Sequence, residues 1–193
     1  MRDVRVWRFD APRLCISSAP VGGGIGLRSW IINAHVPIDY ARTDLDAHVH
    51  ELATVHRCEG DGVGMLTAAN VGDASIAAEN GIEVCATVGV TLPTWAAADE
   101  IATPWRPGTV NVVVQVPARL SDAALVNAVM TVTEAKAQAL LEMGVPGTGT
   151  ASDAVCVSCT QYGTVEPFAG PRSRIGAPLA RAVHAAVRRG VRT

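Results

Sequence analysis

Val110–Gly144 reads VNVVVQVPARLSDAALVNAVMTVTEAKAQALLEMG, and its two halves obey different periods. Val110–Val116 is a near-continuous apolar run, as expected of a central strand buried on both faces. From Ser121, a good N-cap residue, the pattern turns helical and runs to Met143, where Gly144 and Pro146 end it. A buried strand followed by a long helix calls for a sheet with that helix laid on it.

The segments on either side extend the sheet. Val4–Phe9 and Leu14–Ser18 read as short strands around a turn at Asp10-Ala11-Pro12, and an apolar strand surrounds Trp30-Ile31-Ile32. Between them, Gly22-Gly23-Gly24-Ile25-Gly26 has the wrong spacing for a dinucleotide fingerprint and precedes a strand. It is expected to let backbone approach a ligand or a neighbouring strand closely. Thr43 opens a helix whose buried stripe is Leu45, Val49, Leu52 and Val55. His48, His50 and His56 lack the four-residue spacing of a zinc helix and read as solvated-face residues. Val63–Ala68 is a further strand, and Ser75–Glu79 and Ile82–Val90 flank the hairpin signal Asn80-Gly81. Leu92–Gly108, with Pro93, Pro104, Pro107, Trp95 and Trp105, reads as a long loop or lid. Asp153–Cys159 is the last strand and Ala177–Arg189 the last helix. The reading is α+β: one domain over residues 1–193, a mixed β-sheet packed with about three helices.

Composition narrows the function classes. With 49% hydrophobic and 18% charged residues, the 193-residue chain can bury a proper core. A net charge of -2 argues against nucleic acid as a partner, and Arg181, Arg188, Arg189 and Arg192 suit a helix C-terminus. No apolar run is long enough to span a membrane, and Met1–Arg5 leads into alternating residues rather than the continuous apolar stretch expected of a signal peptide. Five scattered cysteines fit reduced thiols in the cytoplasm. Cys156 and Cys159 have the two-residue spacing of a zinc or redox pair, but on a strand they face opposite ways and read as core.

One residue breaks the helical pattern. At roughly 100° per residue, Asn127, Thr131, Glu134, Gln138 and Glu142 form a polar sector, taken as the solvent face. Opposite lie Leu125, Val129 and Leu140, with Lys136 at the centre of that apolar sector and Thr133 beside it. Lys136 is the only lysine in a chain that otherwise uses arginine. A buried ammonium is costly unless paired and gives up its proton more readily than a guanidinium, which suits catalysis; snorkelling to water is the alternative. The following Pro146-Gly147-Thr148-Gly149-Thr150-Ala151-Ser152-Asp153 is either a donor-rich catalytic loop or an ordinary helix-to-strand turn. Asp153 can pair with Lys136 or orient a water.

These segments together resemble the adenosylcobinamide amidohydrolase family from about Leu14 to the terminal helix. The landmarks are Ile16–Pro20 followed by glycines, Val63–Ala69, Thr87–Val90, Gly108–Val112, Thr133-Glu134-Ala135-Lys136, Thr148–Ala154, and Phe168–Pro171 with Arg174-Ile175-Gly176. Their order and spacing carry the resemblance. Ser152 stands where the family usually has Thr, and Thr91-Leu92 where Asn often follows. The resemblance implies hydrolysis of the aminopropanol amide of adenosylcobinamide, or of a related adenosylated cobamide. Adenosylcobyric acid would be the product, for corrinoid salvage. The corrinoid is then substrate, and no separate cofactor is required. A non-catalytic corrinoid-binding or carrier protein is the alternative, and an unrelated amidase acting on a smaller amide is a third.

For the hydrolase, the expected catalytic set is Lys136, Asp153, Thr150 and Ser152. A hydroxyl of Thr150 or Ser152, or a water held by Asp153, is the nucleophile; Lys136 carries the proton or stabilises charge; the Gly147–Thr150 backbone is the oxyanion donor. Expected substrate contacts are Gly23, Gly24, Thr67, Asn70, Asn111, Thr133, Glu134, Thr148 and Gly149, with the Trp95/Trp105 loop over the ligand's apolar face. No His/Cys/carboxylate cluster has ligand spacing, so a metal-free site is expected. A homo-oligomer is compatible with this reading.

Overall fold

A computed structural model describes residues 4–98 and 108–191. The elements in chain order are β1 (Val4–Ser17), β2 (Gly24–His35), α1 (Leu45–Val55), β3 (Gly62–Thr67), β4 (Ser75–Glu79), β5 (Ile82–Gly89), β6 (Thr109–Val116), β7 (Arg119–Leu120), α2 (Asp122–Glu142), β8 (Ala154–Cys159), β9 (Val165–Glu166) and α3 (Gly176–Gly190). Among the described residues the main sheet has seven strands in the order β3-β2-β1-β8-β6-β5-β4. The β2–β3 and β6–β8 pairs are parallel and the other pairs antiparallel, so the mixed sheet and three helices expected from the sequence are present. No helix among the described residues is long and apolar enough to cross a membrane.

The sheet is covered on one side by helices and folds inward on the other. Leu125 and Leu140 of α2 and Leu179 and Val183 of α3 pack on Val112, Val114 and Val157. α1 places Val49 and Ala53 on Trp30, Ile32 and Ala34. The alternate residues Ile31, Val63, Met65, Val113 and Cys156 meet one another on the inner side. Asn111 of β6 donates through Nδ2 to Asn33 Oδ1 of β2 (2.9 Å) and to Leu66 O of β3 (3.2 Å), although β1 and β8 separate β6 from β2 in the sheet order. Asn33 in turn donates to Thr87 Oγ1 of β5 at 2.5 Å. These bonds are possible only because the sheet curls, and the mouth of the curl opens as a cleft.

Several expectations change in detail. Val4–Ser17 is one strand whose register slips between Arg8 and Arg13, not two strands around a turn; the β2 ladder resumes past Pro12, which has no N–H to offer it. In α1, Val55 is exposed and Ala53 takes its place in the stripe. The polar sector of α2 is only partly a solvent face. Thr131 is buried and donates to Ala169 O at 2.8 Å, and Asn127 Oδ1 accepts from Ala169 N at 3.2 Å, so the 168–170 segment covers that side. The Asn80-Gly81 hairpin forms with φ of 49° and 78°. The glycine cluster meets a neighbouring strand: a Cβ on Gly22 would lie 1.9 Å from Gly62 O. Cys156 and Cys159 are buried on opposite faces. Arg181 pairs with Glu79 and Arg188 with Glu142, while Arg192 and Trp105 lie outside the described residues.

The interior amides should therefore hold the curl. Asn111→Ala strands the buried Asn33 Oδ1 and is expected to cost about 1–3 kcal/mol in urea unfolding. A loss of under about 0.5 kcal/mol, the range of a neutral surface change, would show that the curl does not depend on these bonds.

Candidate active site

α2 ends at a left-handed Gly144, and the loop to β8 folds back across the helix. The loop is clamped from outside: Thr94 N donates to Gly149 O (2.8 Å) and Thr148 N to Thr94 O (2.9 Å). Inside the clamp, Lys136 reaches from α2 with 7% of its surface exposed, and its Nζ donates to Asp153 Oδ2 in a short ion pair. It does not snorkel. The same Oδ2 accepts from Thr150 N at 3.1 Å, and Oδ1 accepts from Val110 N at 2.8 Å. Gly149 makes the arrangement fit, because a Cβ there would sit 2.3 Å from Asp153 Oδ2 and 2.5 Å from Lys136 Nζ.

The Thr150 hydroxyl faces two acceptors. It has one proton and two oxygens at 2.5 Å, Asp153 Oδ1 and Gly108 O. With Asp153 ionised, Thr150 donates to the carboxylate. With a proton on Oδ1, the carboxyl donates to Thr150, whose own proton turns to Gly108 O. Both protonation states of Asp153 are satisfied, so the group can take a proton without stranding a buried polar atom.

Asp153 and Ser152 line a cleft of about 460 Å³ together with Thr109, Ala154, Thr67 and Ser18. Ser152 Oγ donates to Gly108 O at 3.0 Å and lies 2.9 Å from Thr109 Oγ1. The facing wall is the 36–45 segment, with Val36, Pro37, Tyr40, Arg42 and Leu45. Arg42 forks onto Asp44 and Glu51. Its hydrogen bonds hold the Asp44 carboxyl down at about 2 and lower that of Glu51, while the two carboxylates raise Arg42. Among the described residues, no three His, Cys, Asp or Glu side chains gather as metal ligands.

Of the expected site residues, the structure brings together Lys136, Asp153, Thr150, Ser152, Gly149 and Thr67. Others lie elsewhere. Asn111 is wholly buried beneath the cleft floor. Thr148 Oγ1 accepts from Ala96 N and so holds the 94–96 segment. Thr133 and Glu134 are exposed on α2, Thr133 Oγ1 donating to Val129 O at 2.9 Å, and Asn70 caps the turn at Val71–Asp73. Gly23 and Gly24 shape the entry to β2, while Ser18 and Pro20 from the same segment reach the cleft. Three backbone donors assigned to an oxyanion are already engaged: Gly147 N on Val145 O, Thr148 N on Thr94 O and Thr150 N on Asp153 Oδ2. Thr109, Tyr40 and Arg42 line the cleft and were not among the expected site residues.

Comparison with known proteins gives this cleft its chemical context. The family model for adenosylcobinamide amidohydrolase matches residues 1–193. A Methanosarcina mazei protein named adenosylcobinamide amidohydrolase is 30% identical over 183 residues, covering 90% of this chain and 88% of that protein. A Halobacterium salinarum protein of the same name is 46% identical over 83 residues, 42% of this chain and 35% of that protein. The chain belongs to the adenosylcobinamide amidohydrolase family.

The ion pair makes a stability prediction separate from activity. Lys136→Met leaves a buried carboxylate without its counter-charge and should cost about 3–5 kcal/mol in urea unfolding. Adding Asp153→Asn removes the stranded charge, so the double variant should regain part of that loss. A double variant whose loss equals the sum of the Lys136→Met and Asp153→Asn losses would show that the two groups are not energetically coupled.

Proposed function

We propose that this amidohydrolase cleaves the amide joining the aminopropanol arm to the corrin ring of adenosylcobinamide, releasing aminopropanol and adenosylcobyric acid. The observation that carries the reading is the Asp153 carboxylate, paired with Lys136 and facing a cleft, in a chain matched end to end by the family. A cleft of about 460 Å³ suits a drug-sized group. A corrin macrocycle with its adenosyl group is larger, so the cleft receives the amide arm and the ring lies across its mouth.

In this proposal Asp153 is the general base. It takes the proton of a water as that water attacks the amide carbon, and Thr150 turns to Gly108 O to accommodate the new proton. Ser152 holds the water rather than acting as a nucleophile, because its own proton is directed at a carbonyl that cannot accept it fully. Lys136 fixes the carboxylate's orientation and supplies a positive charge close to the developing oxyanion. The reaction consumes corrinoid and water and calls for no further cofactor. The five cysteines are free thiols, which supports a reducing compartment, the cytoplasm, as its setting. A carrier protein would have no use for a base that is satisfied in both protonation states.

Adenosylcobinamide incubated with the protein should give adenosylcobyric acid by mass spectrometry. Asp153→Asn should lower the rate by about 10²- to 10⁴-fold, and Ser152→Ala should leave a measurable rate. Tight corrinoid binding without product would favour the carrier. An acyl adduct on Ser152 would replace the attacking water with a covalent route.

A further inference from the structure

The wall that carries Asp153 offers one proton carrier, Asp153 itself, which enters the reaction as a base. Lys136 is engaged with Asp153, and the Thr150 proton is shared between Asp153 and Gly108. An alkylamine is a poor leaving group unless its nitrogen is protonated as the C–N bond breaks. The opposite wall holds a group of the required kind. Tyr40 lines the cleft, and its hydroxyl lies 2.7 Å from His48 Nδ1. The two rings stack with centroids 5.4 Å apart and planes 28° apart. His48 is thus half-buried against Tyr40 rather than a solvated-face residue.

The loop is held in that position. Arg42 is tied to Asp44 at the start of α1 and to Glu51 about two turns further on. The groups around the pair are therefore Arg42, Asp44 and Glu51 on its own side, with Lys136 and Asp153 across the cleft. Burial, ahead of the opposing pull of Arg42, pushes the Tyr40 hydroxyl upward, which keeps the proton on the phenol at neutral pH.

We propose that Tyr40 is the catalytic acid that protonates the leaving aminopropanol nitrogen, and that His48 is the positioning residue that aims and recharges it. The inference rests on the hydrolysis reading above. Water oxygen bonds to the amide carbon while one water proton passes to Asp153. As the tetrahedral intermediate collapses, the C–N bond breaks and the electron pair left on nitrogen takes the Tyr40 proton. The tyrosinate recovers a proton through His48 Nδ1 from solvent, and Asp153 returns one to solvent. One water is consumed, and nothing is oxidised or reduced.

The test compares two leaving groups on the same corrin acid: the natural aminopropanol amide, and a 4-nitrophenyl ester whose leaving group departs without protonation. Tyr40→Phe should slow the amide by about 10²- to 10⁴-fold and leave the ester rate within a few-fold of wild type. His48→Phe keeps a stacked ring without the hydrogen bond, and should slow the amide about ten-fold with the ester unaffected, the worth of roughly one hydrogen bond. An unchanged amide rate in Tyr40→Phe, or equal slowing of both substrates, overturns the assignment. Wild-type protein that cleaves neither substrate overturns the hydrolysis reading, and the Tyr40 role falls with it.

Discussion

The site depends on a carboxylate buried with just enough donors to hold it. Asp153 receives a backbone N–H from β6, a backbone N–H and a hydroxyl from Thr150, and the ammonium of Lys136 from α2. An unpaired carboxylate at this depth would cost several kcal/mol. The donors come from a strand, a loop and a helix, so satisfying the charge fixes those three elements relative to one another. Gly149 and the Thr94 clamp follow from the same requirement, one leaving room for the pair and the other pressing the loop onto it.

The curl of the sheet turns this electrostatic centre into a cleft. Asn111 lies one residue from Val110, whose N–H holds Asp153, and its side chain ties β6 to β2 and β3. Those bonds bring Thr67, at the end of β3, to the same mouth as Thr109 and Ala154, where β6 and β8 begin. The interior polar network and the cleft lining are thus two layers of one construction. The lower layer sets the separation of the walls, and the upper layer presents the chemical groups.

Local pattern was enough to bring Lys136 and Asp153 to one wall. Lys136 showed itself as a charge in an apolar helical sector, and the run from Gly147 to Asp153 announced a polar loop within reach of it. Both signals are periodic or contiguous, which is what one sequence can display. The opposite wall was not visible in this way. Tyr40 and Arg42 belong to an aperiodic loop, and His48 gains meaning only from the ring eight residues earlier that stacks on it. Thr109 reaches the site because β6 runs beside β8 and its hydroxyl meets Ser152, not through sequence proximity. Thr133, Glu134 and Thr148 were expected at the ligand because they flank Lys136 and Asp153 along the chain. A helix turns such neighbours to other faces, and a clamped loop spends its hydroxyls on its own backbone. The slip in β1 and the covering of Thr131 by Ala169 were hidden for the same reason: each is settled by a distant partner.

The central claim is that the two walls meet around one amide bond. The most direct measurement is a crystal structure of Asp153→Asn with adenosylcobinamide bound, since Asn keeps the shape of the side chain and removes the proposed base. The account predicts the aminopropanol amide carbon beside Ser152 and residue 153, its nitrogen toward Tyr40, and the corrin ring across the mouth. An arm bound outside this cleft, for instance at the depression between Arg8, Arg13 and Tyr162, would contradict it.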